Sequence, residues 1–308
     1  MKVLVTGSAG RFGRSVVAGL AAAGHEVVGV DLRPGDAGPC AAVQSADVSD
    51  VGEAFQVVAR HRPQAVVHLA AIAAPFSHSG GLTYRVNTQA AFGICEAAVQ
   101  LGVERVIIAS SPTVIGYGAP GGWTPDYLPL DEDHPVRPWN AYSLSKAAAE
   151  QAMRSFTLAA AGKVRFAAVR PCFVVAPEEW TGASTQTGHT IAERLDSPEI
   201  SGQALFNYLD ARDGAEMVEQ LLRALPEIPN GEVFFAGAPD ALSREPVAEL
   251  LPRFHPGTEK FAESVSGTDP VFSTAKAERL IGWRPKRSWR TELPEHDVIR
   301  TKDEVPST

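Results

Sequence analysis

The chain has 308 residues, 44% hydrophobic and 21% charged, and its 28 basic against 36 acidic residues give a formal charge of −8. That much apolar side chain excludes disorder for the bulk of the chain, and an acidic balance argues against a nucleic-acid partner, which would meet a basic excess. No stretch approaches the roughly 20 apolar residues of a membrane span, and residues 1–5 run straight into a Gly-rich turn rather than a leader, so a cytoplasmic protein without a membrane partner is expected.

Residues 2–5 are a short β-branched run, followed at once by Thr6, Gly7, Ser8, Ala9, Gly10, Arg11, Phe12 and Gly13. Residues 15–23 read as an apolar helix stopped by Gly24, and residues 27–30 as a second strand closed by Asp31. Helix then alternates with strand: helix over 51–60, strand over 65–69, helix over 87–101 ended by Gly102, strand over 105–109, helix over 141–160 ended by Gly162, strand over 164–169. Near-continuous apolar strands between helices predict an α/β fold, a Rossmann-type doubly wound parallel sheet covered on both faces. Its ligands would bind at the carboxyl ends of the strands.

Residues 1–170 are expected to form this dinucleotide-binding unit, and residues 171–292 a small C-terminal α/β substrate region interleaved with the sheet. Within it, residues 177–198 lack periodicity and read as loops over a cleft. Helices are predicted over 213–224, 243–254 and 273–281, a strand over 231–235, and a polar tail over 293–308. Three scattered cysteines, Cys40, Cys95 and Cys172, suit neither a disulfide framework nor a zinc cage, so reduced thiols and no metal are expected.

Gly7, Gly10 and Gly13 lie between a strand and a helix, where the first permits a tight turn, the second lets backbone approach a pyrophosphate and the third allows close helix packing. Asp31 follows Gly13 by 18 residues, near the spacing at which a carboxylate reaches adenosine ribose hydroxyls. It would repel a 2′-phosphate, so NAD is expected over NADP, although Arg11 and Arg33 lie close enough in sequence to soften that preference. Ser111 sits at the carboxyl edge of a strand, and Tyr142 and Lys146 share one helix face four residues apart. An ammonium beside a phenol lowers its ordinary pKa of about 10. Such a tyrosine can take an alcohol proton while hydride leaves for a nicotinamide, with the serine holding the oxygen.

With Asp47, Val48, His68, Leu69, Ala70, Ala71, Asn87, Ser110, Ser111 and the run from Tyr142 to Lys146, the glycine turn resembles the extended short-chain dehydrogenase/reductases. Within these it is similar to the NAD-dependent epimerase/dehydratase branch, over about residues 1–290. The resemblance implies that Asp47 and Val48 flank the adenine and that Leu69, Ala70 and Ala71 line the dinucleotide. Ser111, Tyr142 and Lys146 would be catalytic, Lys146 also holding the nicotinamide ribose, and Asn87 structural. Arg11, Phe12, Tyr142 and Pro171 complete the expected cofactor contacts, and Thr113 and Phe173 join Ser111 and Tyr142 on the substrate side.

The departures narrow the chemistry. Pro112 and Thr113 stand where 4,6-dehydratases carry Asp-Glu, which argues against dehydration and decarboxylation. Phe173 takes the place of an Asn usual in 4-epimerases, and residues 203–207 and 265–269 lack the arginines that grip a nucleotide diphosphate. Each such charge-assisted bond is worth about 1.5–3 kcal/mol. The expected substrate is therefore a secondary alcohol of a free sugar, sugar acid or polyol, as in the uronate and aldose dehydrogenases that residues 110–116 resemble. Arg194 is a further substrate-side candidate, more readily explained as a solvated helix charge; His134 and Arg137 are others, equally readable as structural, and His68 reads as structural. The alternatives are a nucleotide-sugar 4-epimerase and a non-catalytic dinucleotide sensor. By the same resemblance a homodimer is expected, packed through the helix bearing Tyr142 and Lys146.

Overall fold

The computed structural model describes residues 1–293, so the expected tail lies, apart from Leu293, outside the described residues. The strands are β1 (Lys2–Thr6), β2 (Glu26–Asp31), β3 (Ala42–Ser45), β4 (Ala65–His68), β5 (Arg105–Ala109), β6 (Arg165–Pro171), β7 (Val174–Val175), β8 (Leu209–Asp210) and β9 (Glu232–Ala236). Seven form one parallel sheet in the order β3-β2-β1-β4-β5-β6-β9, and β7 pairs with β8 in a small second sheet. The helices are α1 (Arg11–Ala22), α2 (Val51–His61), α3 (Gly80–Leu101), α4 (Ala141–Ala159), α5 (Ile191–Asp196), α6 (Pro198–Gly202), α7 (Ala211–Ala224), α8 (Val247–Phe254), α9 (Glu259–Ala262), α10 (Ala275–Ile281) and α11 (Trp289–Glu292). Among the described residues no helix is long and apolar enough to cross a membrane.

The continuous apolar strands are explained by the two layers of helix. Val3 and Val5 of β1 point to a core with Val16, Val17 and Leu20 of α1 and Val218 and Leu221 of α7. Leu4, between them, points to the opposite core with Ala54 and Val57 of α2, Ile94 of α3 and Met153 of α4. Period-two alternation therefore buries every residue of such a strand, and each Val or Leu side chain so buried contributes about 1.5–3 kcal/mol of transfer free energy. Because β1 has β2 on one side and β4 on the other, the strand order reverses beside it, and this switch point opens a crevice at the carboxyl ends.

Several elements differ from expectation for local reasons. Helix α1 begins at Arg11, directly on the glycine turn, and α3 begins at Gly80, where two glycines conceal its first turn. Strand β3 escaped prediction because it is a four-residue edge strand of alternating half-buried and exposed residues. The stretch expected as loops carries a 3₁₀ turn over Pro177–Thr181 and then α5 and α6. Helix α5 holds its six residues through a reciprocal cap: the Thr190 hydroxyl accepts from the Glu193 amide at 3.2 Å, and Glu193 accepts from the Thr190 amide at 2.7 Å. Helix α8 starts only at Val247, after Pro246, because the Ser243 hydroxyl accepts from the Glu245 amide and makes a turn instead. A satellite core of Val175, Trp180, Ile191, Leu195, Tyr208 and Trp289 holds this second region together, while α7 and β9 return to the main sheet.

Candidate active site

The glycine turn is a close-packed cradle. Gly7 adopts φ +71°, and a Cβ there would lie 2.7 Å from the Ala70 amide nitrogen. A Cβ on Gly13 would lie 1.9 Å from the Gly7 carbonyl oxygen, so no side chain fits. Gly10 caps α1 without a side-chain acceptor, which leaves first-turn amides of that helix for an anion. Asp31, at the carboxyl end of β2, braces the turn by accepting from the Ala9 amide at 3.1 Å and the Arg33 amide at 3.2 Å. The Arg33 side chain is exposed and off the cavity. Arg11 is tied to Glu179 at 2.8 Å and donates to the Ser184 carbonyl, strapping residues 178–184 over the turn.

A cavity of about 1410 Å³ runs from this cradle across the ends of the strands. It exceeds the roughly 300–1,000 Å³ of a single-ligand pocket, leaving room for a dinucleotide and a substrate together. Its walls include Gly7, Gly10, Arg11, Phe12, Gly13, Asp31, Asp47, Val48, Leu69, Ala70, Ala71 and Pro171, and beyond them Ser111, Thr113, Tyr142, Lys146 and Phe173. The residues expected to contact the cofactor, and Ser111, Thr113, Tyr142 and Phe173 on the substrate side, thus line one continuous space.

Tyr142 and Lys146 stand in the first turns of α4, where the Asn140 side chain accepts from the Ser143 amide at 2.9 Å and closes a capping box. Asn87 braces the same turn: its amide donates to Ser145 at 3.0 Å, and Ser145 donates to the Tyr142 carbonyl at 2.7 Å. Asn87 also accepts from the Ile72 amide at 2.8 Å, consistent with a structural role. The Lys146 ammonium donates to the Ala109 carbonyl at 2.8 Å and lies 5.8 Å from the centre of the Tyr142 ring. Burial pushes Lys146 down to about 8. Burial is also the largest effect on Tyr142 and raises its phenol, against a smaller lowering by a hydrogen bond from Ser111. In the protein alone, then, desolvation rather than the ammonium governs the phenol.

The remaining candidates separate. His68 is buried, shares a 2.8 Å hydrogen bond with Thr6, and is driven down to about 3 by burial and then by Lys146, so it is neutral. His134 uses both ring nitrogens, accepting from the Asp126 amide at 3.1 Å and bonding the Pro135 carbonyl, and Arg137 is a bidentate partner of Asp126 at 2.8 Å. Neither lines the cavity. Arg194, readable from sequence as a solvated helix charge, is instead 4% exposed and lines the substrate side. Gln186, Thr187, Gln203, Asn207, Trp123, Trp139 and His255 also line that side. They come from irregular stretches and carry no motif that would have marked them.

Comparison with known proteins places residues 3–237 in the NAD dependent epimerase/dehydratase family, and the chain belongs to that family. The UDP-glucose 4-epimerase of Corynebacterium glutamicum is 28% identical over 98% of this chain and 93% of its own length. That of Azospirillum brasilense is 35% identical over 50% of this chain and 44% of its own length. Among solved structures, a short-chain dehydrogenase/reductase superfamily protein from Agrobacterium tumefaciens with bound NAD superposes with a TM-score of 0.70 at 23% identity, covering 96% of each chain. The Thermotoga maritima UDP-glucose 4-epimerase with UDP-glucose gives 0.69 at 21% identity, covering 94% of each chain. These two share the fold.

Proposed function

We propose that the chain is an NAD-dependent oxidoreductase acting on a secondary alcohol of a free sugar, sugar acid or polyol. The observation that carries this reading is the placement of Ser111, Tyr142 and Lys146 in the same cavity as the glycine cradle. When bound, NAD supplies the hydride acceptor and a positive charge in the cavity. Gly7, Gly10, Gly13 and the α1 amides would hold its pyrophosphate, and Asp31 its adenosine ribose. With Arg33 off the cavity and Arg11 engaged by Glu179, no arginine among the described residues is left to offset Asp31 against a 2′-phosphate, which favours NAD over NADP. Tyr142 takes the alcohol proton, Ser111 holds the alcohol oxygen, and Lys146, still protonated at neutral pH, stabilises the phenolate.

A second reading, a nucleotide-sugar 4-epimerase, is favoured by the whole-length relatives of that name. Against it stands the charge of the substrate side. Among the described residues lining the cavity, the arginines and lysines are Arg11, Lys146 and Arg194, and the first two belong to the cofactor side. A diphosphate would meet one guanidinium. The deciding experiment follows NADH absorbance with NAD over a panel of aldoses, uronates, polyols and nucleotide sugars. Net NADH from a free sugar or sugar acid is the expected outcome. Conversion of a nucleotide sugar to its epimer without NADH would overturn the oxidoreductase reading.

A further inference from the structure

The substrate side of the cavity includes a recess to which three separate stretches of chain contribute, Trp123 from one, Asn207 from the second and His255 from the third. Two of these spend their polar groups on the protein. The Trp123 indole donates to the Ile115 carbonyl at 3.3 Å, while the Asn207 side chain accepts from the Phe173 amide at 2.9 Å and donates to the Ala204 carbonyl. His255 differs. Its ring is 7% exposed, and Nε2 lies 2.8 Å from the Gly202 carbonyl. A carbonyl can only accept, so Nε2 carries the proton, and in a neutral ring Nδ1 is then a bare acceptor. Burial lowers His255 from its ordinary range, against a smaller raising by the Gly202 bond, so the ring is neutral at pH 7. Among the described residues Nδ1 has no partner, and it is not one of the unpartnered atoms sealed inside the protein, so it opens on the cavity that His255 lines. Trp123 stands nearly perpendicular to the imidazole at 5.9 Å, and this contact and the Gly202 bond together fix how the ring is turned.

An acceptor set among aromatic rings, where the local dielectric is low, rewards a ligand that donates to it and penalises one that does not. A hydroxyl is such a donor, whereas an ionised carboxylate or a phosphate dianion offers only lone pairs and would be repelled by that of Nδ1. A run of rings leads from this recess to the reacting groups. Trp123 lies 6.2 Å from Tyr117, whose phenol is raised chiefly by burial and also feels Tyr142. His255 is thus two ring contacts beyond the tyrosine nearest Tyr142, and a hydroxyl bound there is a different one from the hydroxyl that loses its proton. We propose that His255 Nδ1 accepts a hydrogen bond from a second hydroxyl of the substrate, remote from the carbon that is oxidised, and so selects a polyhydroxylated substrate with that hydroxyl in place. The inference rests on the oxidoreductase reading above. The second hydroxyl is unchanged by the reaction and serves only to position the substrate.

The test takes D-glucose, D-galactose, D-glucuronate and D-galacturonate, with their deoxy analogues at each ring carbon and, for the aldoses, at C6. Each is measured by calorimetric affinity for the NADH-saturated protein and by NADH formation with NAD. His255→Gln removes the Nδ1 acceptor while its side-chain amide can still donate to the Gly202 carbonyl. For the tightest-binding parent sugar, one deoxy analogue that is still oxidised is expected to bind the unaltered protein about 10-fold more weakly, or worse. His255→Gln should weaken the parent by a similar factor, yet bind that analogue, and NAD, within about twofold of the unaltered protein. Equal loss for the parent and every analogue, which is what a purely structural ring would give, overturns the subsite, and so does no loss for any. Should the Gln variant fail to fold, His255→Phe, which keeps a ring against Trp123, takes its place. Nitrogen-15 NMR of the histidines in the unaltered protein is independent of both variants: one Nδ1 resonance should move on saturation with the parent and stay in place with that analogue, and no such difference overturns the subsite. NADH from any of these sugars leaves the oxidoreductase reading standing in every one of those cases. Epimerised UDP-glucose with no NADH from any of them instead overturns that reading and the subsite with it.

Discussion

Burial pushes Tyr142 and Lys146 toward their neutral forms from opposite directions, raising the phenol and lowering the ammonium to about 8. At neutral pH Lys146 therefore keeps its charge while Tyr142 rests as the phenol, and positive charge entering the cavity with an oxidised cofactor favours the phenolate. Tyr142→Phe is expected to lower kcat at least 1,000-fold and leave NAD affinity within about twofold, since no step but proton removal uses the hydroxyl; steady-state kinetics and a fluorescence titration would check this, and an unchanged rate would remove Tyr142 from the mechanism. His68 gives a stability prediction. Its folded pKa of about 3 lies below the ordinary value near 6.5, so between these values the unfolded chain binds the extra proton. Stability is retained above pH 6.5 and lost as pH falls, by about 2 kcal/mol per chain between pH 6.5 and 4.5. Urea midpoints at pH 7.5 and 4.5 should show that loss reduced in His68→Gln; equal losses in both proteins would mean that His68 is not buried neutral. These residues were legible because each sits inside a short local pattern. Arg194 was not, because its burial depends on Phe173, Thr187, Ile200 and Ser201, which meet it only after the chain has folded.

At the scale of elements, the β1–turn–α1 unit was readable because its glycines are dictated by close contact, joined at Gly7 by a left-handed backbone. Gly13 and Gly24 separate the two causes. A Cβ at Gly13 meets the Gly7 carbonyl at 1.9 Å, whereas a Cβ at Gly24, where φ is +83°, would have nothing within 4 Å. Gly13→Ala is expected to force the turn open, costing about 1–3 kcal/mol and weakening NAD by more than 50-fold. Gly24→Ala should cost about 1–2 kcal/mol through its left-handed backbone alone and leave NAD affinity unchanged. Urea denaturation and NAD titration of both variants would check the contrast; equal loss of NAD affinity would mean that the cradle is not where the pyrophosphate binds. The elements that escaped prediction lack contacts of either kind. Strand β3 is an edge, half exposed, and α5 is one short helix held by a Thr190–Glu193 cap, so neither leaves a long periodic signature.

For the whole molecule, the doubly wound parallel class was legible from the alternation of apolar strands and helices, and with it a binding crevice at the carboxyl ends, whereas the strand order came from the structure. The surface was less so, because which helix face stays uncovered depends on how α3 and α4 pack together. Exposed on these two helices are Tyr84 and Phe92 of α3 and Leu144 and Leu158 of α4, Phe92 and Leu144 each at 47% and Leu158 at 82%. Phe92 meets Phe156 of α4 edge-on at 5.0 Å, an aromatic contact between the two helices. Large apolar side chains exposed on two packed helices suit an interaction site, and a second copy presenting the same helices would cover them with two-fold symmetry. The chain is therefore expected to run as a dimer in light scattering at micromolar concentration. A Phe92→Glu/Leu144→Glu double variant should be monomeric, because each interface would bury four uncompensated carboxylates, two from each copy. Since none of these side chains lines the cavity, the monomer should keep its NAD affinity. A monomeric unaltered protein, or a double variant that remains dimeric, would rule out this face as the contact.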